Sequence, residues 1–177
     1  GVPLTLARMP VTARYGVFEI GMNHPGEIRP LVKMVEPHIA IITTIAPAHL
    51  GNFSSVEEIA LAKAEIFEGL LPGGAALINQ DTAEFGLLEA AARSAGVTRI
   101  FSFGQNVHAH YRVEDFEGWA EGSRFTFVAG VERFVAEVGA PGLHIAENAV
   151  AALGAAQLAD ADLVEAIEAL ASFGGVK

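Results

Sequence analysis

The chain has 177 residues, of which 51% are hydrophobic, and it carries a formal net charge of −10. This length and apolar content suit a single domain with a sizeable core. The excess of acidic residues argues against a nucleic acid as the main partner, because nucleic-acid binders need clustered lysine and arginine. No apolar run approaches the roughly 20 residues that span a bilayer, so we expect a soluble protein with no membrane partner.

The chain contains no cysteine, which excludes disulfides and thiolate metal sites and fits a reducing cytoplasm. Its first residue is Gly1, and no basic segment precedes an apolar stretch. A helical pattern near the other end runs almost into Lys177. We therefore expect the chain to be one part of a longer protein.

Strand and helix patterns alternate through the first 105 residues. Short continuous apolar runs predict buried strands at residues 15–20, 39–46, 75–79 and 99–103. Helical patterns lie between them, at about 26–35, 55–70 and 83–95. This alternation is typical of parallel βαβ units, and it predicts an α/β fold with an open, mostly parallel sheet and helices on both faces.

The remaining residues show two other patterns. Residues 108–137 alternate between polar and apolar residues in three segments separated by glycines, which predicts a small antiparallel β appendage. After the Pro141-Gly142 turn, alanine-rich helical patterns cover residues 143–159 and 161–172. Asp160 is the predicted N-cap of the second of these helices.

Polar residues lie at the ends of three of the predicted strands. They are Glu19 near the end of the first strand, His49 after the second, and Asn79 with Asp81 at the end of the third. Ligands bind beyond the carboxyl ends of the strands in an open parallel sheet, so these residues are candidates for a site. Each also has a purely structural explanation: Glu19 caps a helix, His49 is a hydrogen-bonded loop histidine, and residues 79–81 form a turn.

The helix predicted at residues 55–70 carries Lys63 in an unusual position. It opens with Ser55-Val-Glu-Glu58, which has the form of a capping box. Lys63 interrupts the apolar stripe formed by residues 56, 59, 60, 67 and 70, whereas the opposite face carries the glutamates at 57, 58, 65 and 68. The ordinary explanation is that the stem of Lys63 covers apolar surface while its ammonium reaches water.

Residues 23–27, Asn-His-Pro-Gly-Glu, predict a tight turn leading into a helix. The backbone N–H groups at such a helix start can hold an anion. His144 and Asn148 are four residues apart and so share one helical face, where capping or interhelical hydrogen bonds would also explain them. The chain contains no Gly-x-x-x-x-Gly-Lys-[Ser/Thr] loop, no Gly-x-Ser-x-Gly and no His-Glu-x-x-His.

Taken together, residues 1–5, 18–28, 45–50, 62–67 and 78–81 closely resemble the Mur ligase family in order and spacing. The resemblance spans essentially the whole chain, and residues 19–28 are its most specific part. It implies the central, ATP-binding domain of a cytoplasmic three-domain enzyme of peptidoglycan synthesis. In the branch that it resembles, ATP phosphorylates the carboxylate of UDP-N-acetylmuramoyl-tripeptide, and the amine of D-alanyl-D-alanine then attacks the acyl phosphate.

The resemblance also implies roles for single residues. Glu19 would bind the magnesium ion that bridges the ATP phosphates. His49 and a carbamylated Lys63 would hold a second magnesium ion near the acyl phosphate. The residues near the reacting centre would be Asn23 and His24, and those near the nucleotide would be Asn79, Asp81 and Asn148.

The sequence departs from the family pattern at Thr44, where an asparagine often stands, although this change removes no proposed ligand. The family's phosphate-binding loop would precede Gly1 and its C-terminal domain would follow Lys177, so we expect residues 1–177 alone to be inactive. The alternatives are another Mur-type or a folylpolyglutamate-type amide ligase, which would lack the run at residues 23–27, or a noncatalytic nucleotide-binding or interaction module.

Overall fold

The computed structural model describes residues 1–46 and 52–174 and contains one six-stranded sheet. Its strands lie side by side in chain order: β1 Ile39–Ile42, β2 Ala75–Asn79, β3 Arg99–Gly104, β4 Tyr111–Trp119, β5 Gly122–Ala129 and β6 Glu132–Val138. The first four strands are parallel, and the last three form antiparallel pairs. The predicted α/β fold with a mostly parallel sheet is confirmed.

Six α-helices accompany the sheet in the described residues: α1 Val2–Arg8, α2 Ile28–Val35, α3 Val56–Ala64, α4 Phe85–Ser94, α5 Leu143–Leu158 and α6 Leu163–Ala171. A 3-10 helix, Glu65–Gly69, continues directly from α3. Over the same ranges, no helix combines the length and the apolar character needed to cross a membrane. The helix α1 was not predicted from the sequence.

Helices cover both faces of the sheet. One hydrophobic cluster contains Ala76 and Ile78 of β2 together with residues of α3 and α4. The other contains Leu77, the residue between them, together with residues of α5. All five residues of β2 are therefore buried, which explains why this strand appears in the sequence as a continuous apolar run.

The antiparallel strands are continuous with the parallel part of the sheet. Phe103 of β3 pairs in parallel with Tyr111 of β4, and the Tyr111 ring stacks on Phe127 of β5 at a centroid distance of 5.9 Å. These aromatic rings lie in the same core cluster as α5. The antiparallel prediction is confirmed, but the strands extend the main sheet and do not form a separate unit.

Two local predictions were wrong. Residues 15–20 form no strand, because they pair with no other strand of the described residues, and Val17 is 93% exposed. A strand needs a neighbour for its hydrogen bonds, and an apolar composition cannot supply one.

The N-cap of α6 is Asp162, whose carboxylate accepts hydrogen bonds from the N–H groups of Val164 and Glu165. Asp160 instead adopts a left-handed conformation, with φ of 54°, after the end of α5.

Candidate active site

The ends of β1 and β2 are joined by the side chain of Asn79. Its Nδ2 donates a hydrogen bond of 2.8 Å to the carbonyl of Thr43, and its Oδ1 accepts one of 2.8 Å from the N–H of Asp81. The side chain is buried. The turn expected at residues 79–81 is therefore present, and Asn79 fixes its position at the carboxyl edge of the sheet.

Asp81 organises the connection that follows β3. Its carboxylate accepts hydrogen bonds from the N–H groups of Gln105, at 2.6 Å, and Asn106, at 3.1 Å. A Cβ atom at Gly104, where φ is 141°, would collide with this carboxylate. Glycine is therefore required at position 104 for the close approach. Asp81 lines the cleft described next, and its predicted contact with a nucleotide stays a prediction.

An open cleft of about 470 Å³ lies at this edge of the sheet. It is lined by Thr44, Ile45, Val56, Asn79, Asp81, Thr82, Ala83, Glu84 and Glu147. Among these described lining residues, three side chains are carboxylates and none is basic, so the lining side chains give the cleft a negative local charge.

Glu147 is a cleft residue that the sequence argument missed. Its Oε1 accepts a hydrogen bond of 2.7 Å from Nε2 of Gln105, which connects α5 to the end of β3. Asn148, the next residue of α5, is exposed and directly follows the cleft residue Glu147 in the sequence. The signal that would have found Glu147 is its position beside Asn148 near the start of a predicted helix.

Lys63 reaches the same edge from α3. Its Nζ donates a hydrogen bond of 3.1 Å to the carbonyl of Thr44, a residue that lines the cleft. Burial lowers the pKa of the Lys63 ammonium. Within the described ranges it has no carboxylate at salt-bridge distance. The side chain is half-buried and directed to the sheet edge, which makes it a candidate for neutral-amine chemistry.

The segment that carries Glu19 passes along α3. Met22 packs against the cluster formed by Phe53, Ile59 and Ala62, and the Glu19 carboxylate is exposed. His49 lies outside the described residues. Among residues 1–46 and 52–174, no three acidic or histidine side chains cluster in a way that could hold a metal ion. The metal roles of Glu19, His49 and Lys63 stay predictions.

Residues 23–27 form a turn held by two carboxylates. Glu27 accepts hydrogen bonds from the N–H groups of Asn23, at 2.7 Å, and His24, at 3.2 Å, while Glu65 accepts one of 2.7 Å from Gly26. The expectation that these N–H groups hold an external anion was wrong, because carboxylates of the chain already occupy them. The bond from Asn23 is the main reason that the pKa of Glu27 is lowered.

Glu65 is buried, although the helical pattern placed it on the polar face. Glu65 begins the 3-10 helix that continues from α3, and this 3-10 helix packs against α2, which covers the side chain. The carboxylate is 3% exposed and accepts a 2.9 Å hydrogen bond from Arg29. Arg29 also bonds both oxygens of the more exposed Glu68.

Replacing Glu65 with alanine should destabilise the chain far more than replacing Glu68. Loss of Glu65 leaves the Gly26 N–H without its acceptor, which should cost about 1–3 kcal/mol. Arg29 is partly exposed and keeps Glu68, so the loss of its second partner adds little. Glu68→Ala is the matched control, because an exposed pair contributes little. Urea unfolding of the 177-residue chain measures both, and equal losses would contradict the assigned role of Glu65.

Comparisons with known proteins agree with this geometry. Residues 1–156 match the family model described as the Mur ligase middle domain. The chain is 34% identical, over 165 residues, to UDP-N-acetylmuramoyl-tripeptide–D-alanyl-D-alanine ligase of Haemophilus influenzae, an alignment that covers 93% of this chain and 35% of that protein.

Solved structures share the fold over most of the chain. The crystal structure of MurF from Acinetobacter baumannii superposes with a TM-score of 0.92 at 31% identity, covering 99% of this chain and 38% of that one. MurF ligase from Thermotoga maritima in complex with ADP gives a TM-score of 0.71 at 22% identity, covering 86% and 34%, and shows the shared fold alone. The chain thus spans little more than a third of the length of these relatives. It belongs to the Mur ligase family, whose middle domain its residues 1–156 match.

Proposed function

We propose that this chain is the ATP-binding middle domain of a cytoplasmic ligase that joins D-alanyl-D-alanine to UDP-N-acetylmuramoyl-tripeptide in peptidoglycan precursor synthesis. The observation that carries the proposal is the 34% identity, over 93% of the chain, to a ligase of that name. The structural match to MurF over 99% of the chain supports it. The product would serve cell-wall growth, and through it cell shape and division.

The reaction has two chemical steps. A carboxylate oxygen of the tripeptide attacks the terminal phosphorus of ATP, and ADP leaves. The amine nitrogen of D-alanyl-D-alanine then attacks the acyl carbon, and phosphate leaves with the electron pair of the broken C–O bond. Both steps depend on positioning the reactants and on stabilising negative charge.

The acidic cleft supports one orientation of the proposed nucleotide. Asp81, Glu84 and Glu147 line it, so the triphosphate would avoid it and the nucleoside would enter it. Asn79 and Asn148 would lie near the nucleoside. The phosphates would then extend past the end of β1, towards the side of the sheet edge where Lys63 contacts Thr44.

The proposed donor groups would suit magnesium ions. Magnesium prefers oxygen ligands and retains water, so one exposed carboxylate such as Glu19 can hold it together with phosphate oxygens. A carbamylated Lys63 would supply oxygen ligands where a free ammonium supplies none, with His49 as the remaining proposed ligand. When bound, magnesium neutralises the phosphate charge that develops during transfer.

Tight binding of the ATP phosphates would also require a phosphate-binding loop. No Gly-x-x-x-x-Gly-Lys-[Ser/Thr] loop occurs in the chain. We propose that this loop and the domain that completes the substrate site lie in other parts of the whole protein. Residues 1–177 would then provide the middle portion of the active site, including its nucleoside cleft.

Amine selection by the whole protein tests this function. The assay supplies ATP, magnesium and UDP-N-acetylmuramoyl-tripeptide with one amine at a time, and measures phosphate release and amide product. We expect turnover with D-alanyl-D-alanine and none with L-alanine, D-glutamate or diaminopimelate. Preference for another amine or acid acceptor would identify a different amide ligase, and lack of any ATP-dependent product would favour a noncatalytic module.

A further inference from the structure

Glu27 and His24 form a carboxylate–imidazole pair in the turn at residues 23–27. Nδ1 of His24 lies 3.1 Å from Oε1 of Glu27, and the other carboxylate oxygen is held by the N–H groups of Asn23 and His24. The carboxylate is therefore fixed by three contacts from two neighbouring residues. Its hydrogen bonds lower the pKa of Glu27, so it is ionised near neutral pH.

An ionised carboxylate can only accept a hydrogen bond, which fixes the tautomer of His24. Nδ1 must carry the proton in this pair, so the neutral ring has a lone pair on Nε2. The His24 side chain is 60% exposed, so Nε2 is accessible to a substrate. An imidazole oriented in this way by a carboxylate is suited to accept a proton.

The turn is attached to the element that carries Lys63. Met22 packs against the cluster of Phe53, Ile59 and Ala62, of which the last two lie on α3 within four residues before Lys63, and the Gly26 N–H binds Glu65 of the 3-10 helix. Both attachments fix the turn relative to α3 and the 3-10 helix that follows it. The charged groups packed around the turn are Glu27 and Glu65, with Arg29 paired to Glu65 and Glu68.

We propose that His24 accepts the proton that the attacking amine loses as the amide forms, and that Glu27 is the positioning residue that orients His24. This inference rests on the proposed ligase function. As the nitrogen–carbon bond forms, the nitrogen becomes positively charged and must lose a proton. That proton moves to Nε2 of His24, the C–O bond to phosphate breaks with its electron pair on the phosphate oxygen, and the imidazolium later releases the proton to solvent.

If the His24–Glu27 pair were purely structural, loss of His24 would not lower turnover in a variant that still folds. Exposed ion pairs contribute little to stability, so loss of His24 should leave folding nearly unchanged. A proton acceptor contributes typically 10²–10⁴-fold to a rate. A normal unfolding transition combined with a large loss of turnover therefore separates the two explanations.

The test uses the whole ligase with His24→Ala. We expect its rate with D-alanyl-D-alanine to fall by about 10²-fold, with partial restoration by added imidazole. Trapping of the acyl phosphate by hydroxylamine, a less basic nucleophile, should continue. His108→Ala is the matched control, because His108 is exposed on the β3–β4 connection and has no assigned role. It should retain normal turnover.

A double variant tests the role of Glu27. Glu27→Gln alone should lower turnover, because the amide oxygen can keep the N–H bonds of Asn23 and His24 while the amide NH₂ group faces Nδ1 and reverses the tautomer. It should add no further loss in the His24→Ala background, because this effect on the rate passes through the His24 ring. A merely structural role would give additive losses. Normal turnover of His24→Ala, or an equal loss of hydroxylamine trapping, would overturn the inference. Failure of the unmodified ligase to use D-alanyl-D-alanine would instead overturn the proposed function.

Discussion

Replacing Lys63 with alanine in the whole proposed ligase is expected to lower turnover by about 10²–10³-fold, because the variant lacks the proposed carbamate ligand of a magnesium ion. Added acetate or propionate should restore part of the rate by supplying a carboxylate in the vacated space. Turnover with and without each acid is the measurement. The folded state of the variant is checked by its unfolding transition.

The physical basis of this prediction is the environment of the amine. Nζ of Lys63 donates to the Thr44 carbonyl, and burial lowers the pKa of the ammonium. A lower pKa increases the neutral fraction at a given pH, and only a neutral amine adds carbon dioxide. The carbamate should therefore be lost as the pH falls, which a ¹³C signal from labelled bicarbonate can follow.

Lys33→Ala is the matched control for this experiment. Lys33 is exposed in the last turn of α2 and has no assigned role, so its loss should leave turnover unchanged. If Lys63 only covers apolar surface with its stem, then Lys63→Ala costs modest packing energy and keeps near-normal turnover. That result, in a folded variant, would refute the carbamate.

Elements defined by local patterns could be predicted from the sequence. The run at residues 75–79 becomes β2 because both of its faces are covered. Ser55 begins α3 as predicted, since its side chain accepts a hydrogen bond of 3.2 Å from the N–H of Glu58. The Glu58 carboxylate bonds the N–H of Ser54 instead of that of Ser55, so the capping box is shifted by one residue at this end.

Features set by distant partners could not be predicted. The turn at residues 23–27 has the sequence of an anion-binding helix start, but Gly26 bonds Glu65, which is 39 residues away. Glu65 itself is buried because α2 and the turn before it pack against the 3-10 helix, a distant contact that no periodicity indicated. An open cleft does lie at the strand ends, where the topology rule placed the candidate site, whereas the roles of its residues stay predictions. The partners of each side chain depend on packing, which the sequence pattern does not show.

Glu19→Gln in the whole ligase is expected to lower turnover by about 10²-fold or more and to raise the magnesium concentration required. Glutamine keeps the size of the side chain but removes the charge that attracts a hard cation. The alternative role as a helix cap has no support in the described residues, because none of the N-terminal caps there uses Glu19.

The control for Glu19→Gln is Glu121→Gln, which changes an exposed carboxylate in the turn between β4 and β5. Turnover is measured across a magnesium titration for both variants and the unmodified enzyme. A loss confined to Glu19→Gln, and partly reversed at high magnesium, indicates a metal ligand because mass action refills a weakened site. Unchanged turnover with unchanged magnesium dependence would exclude Glu19 from the metal site and leave Lys63 and His49 as its remaining proposed protein ligands.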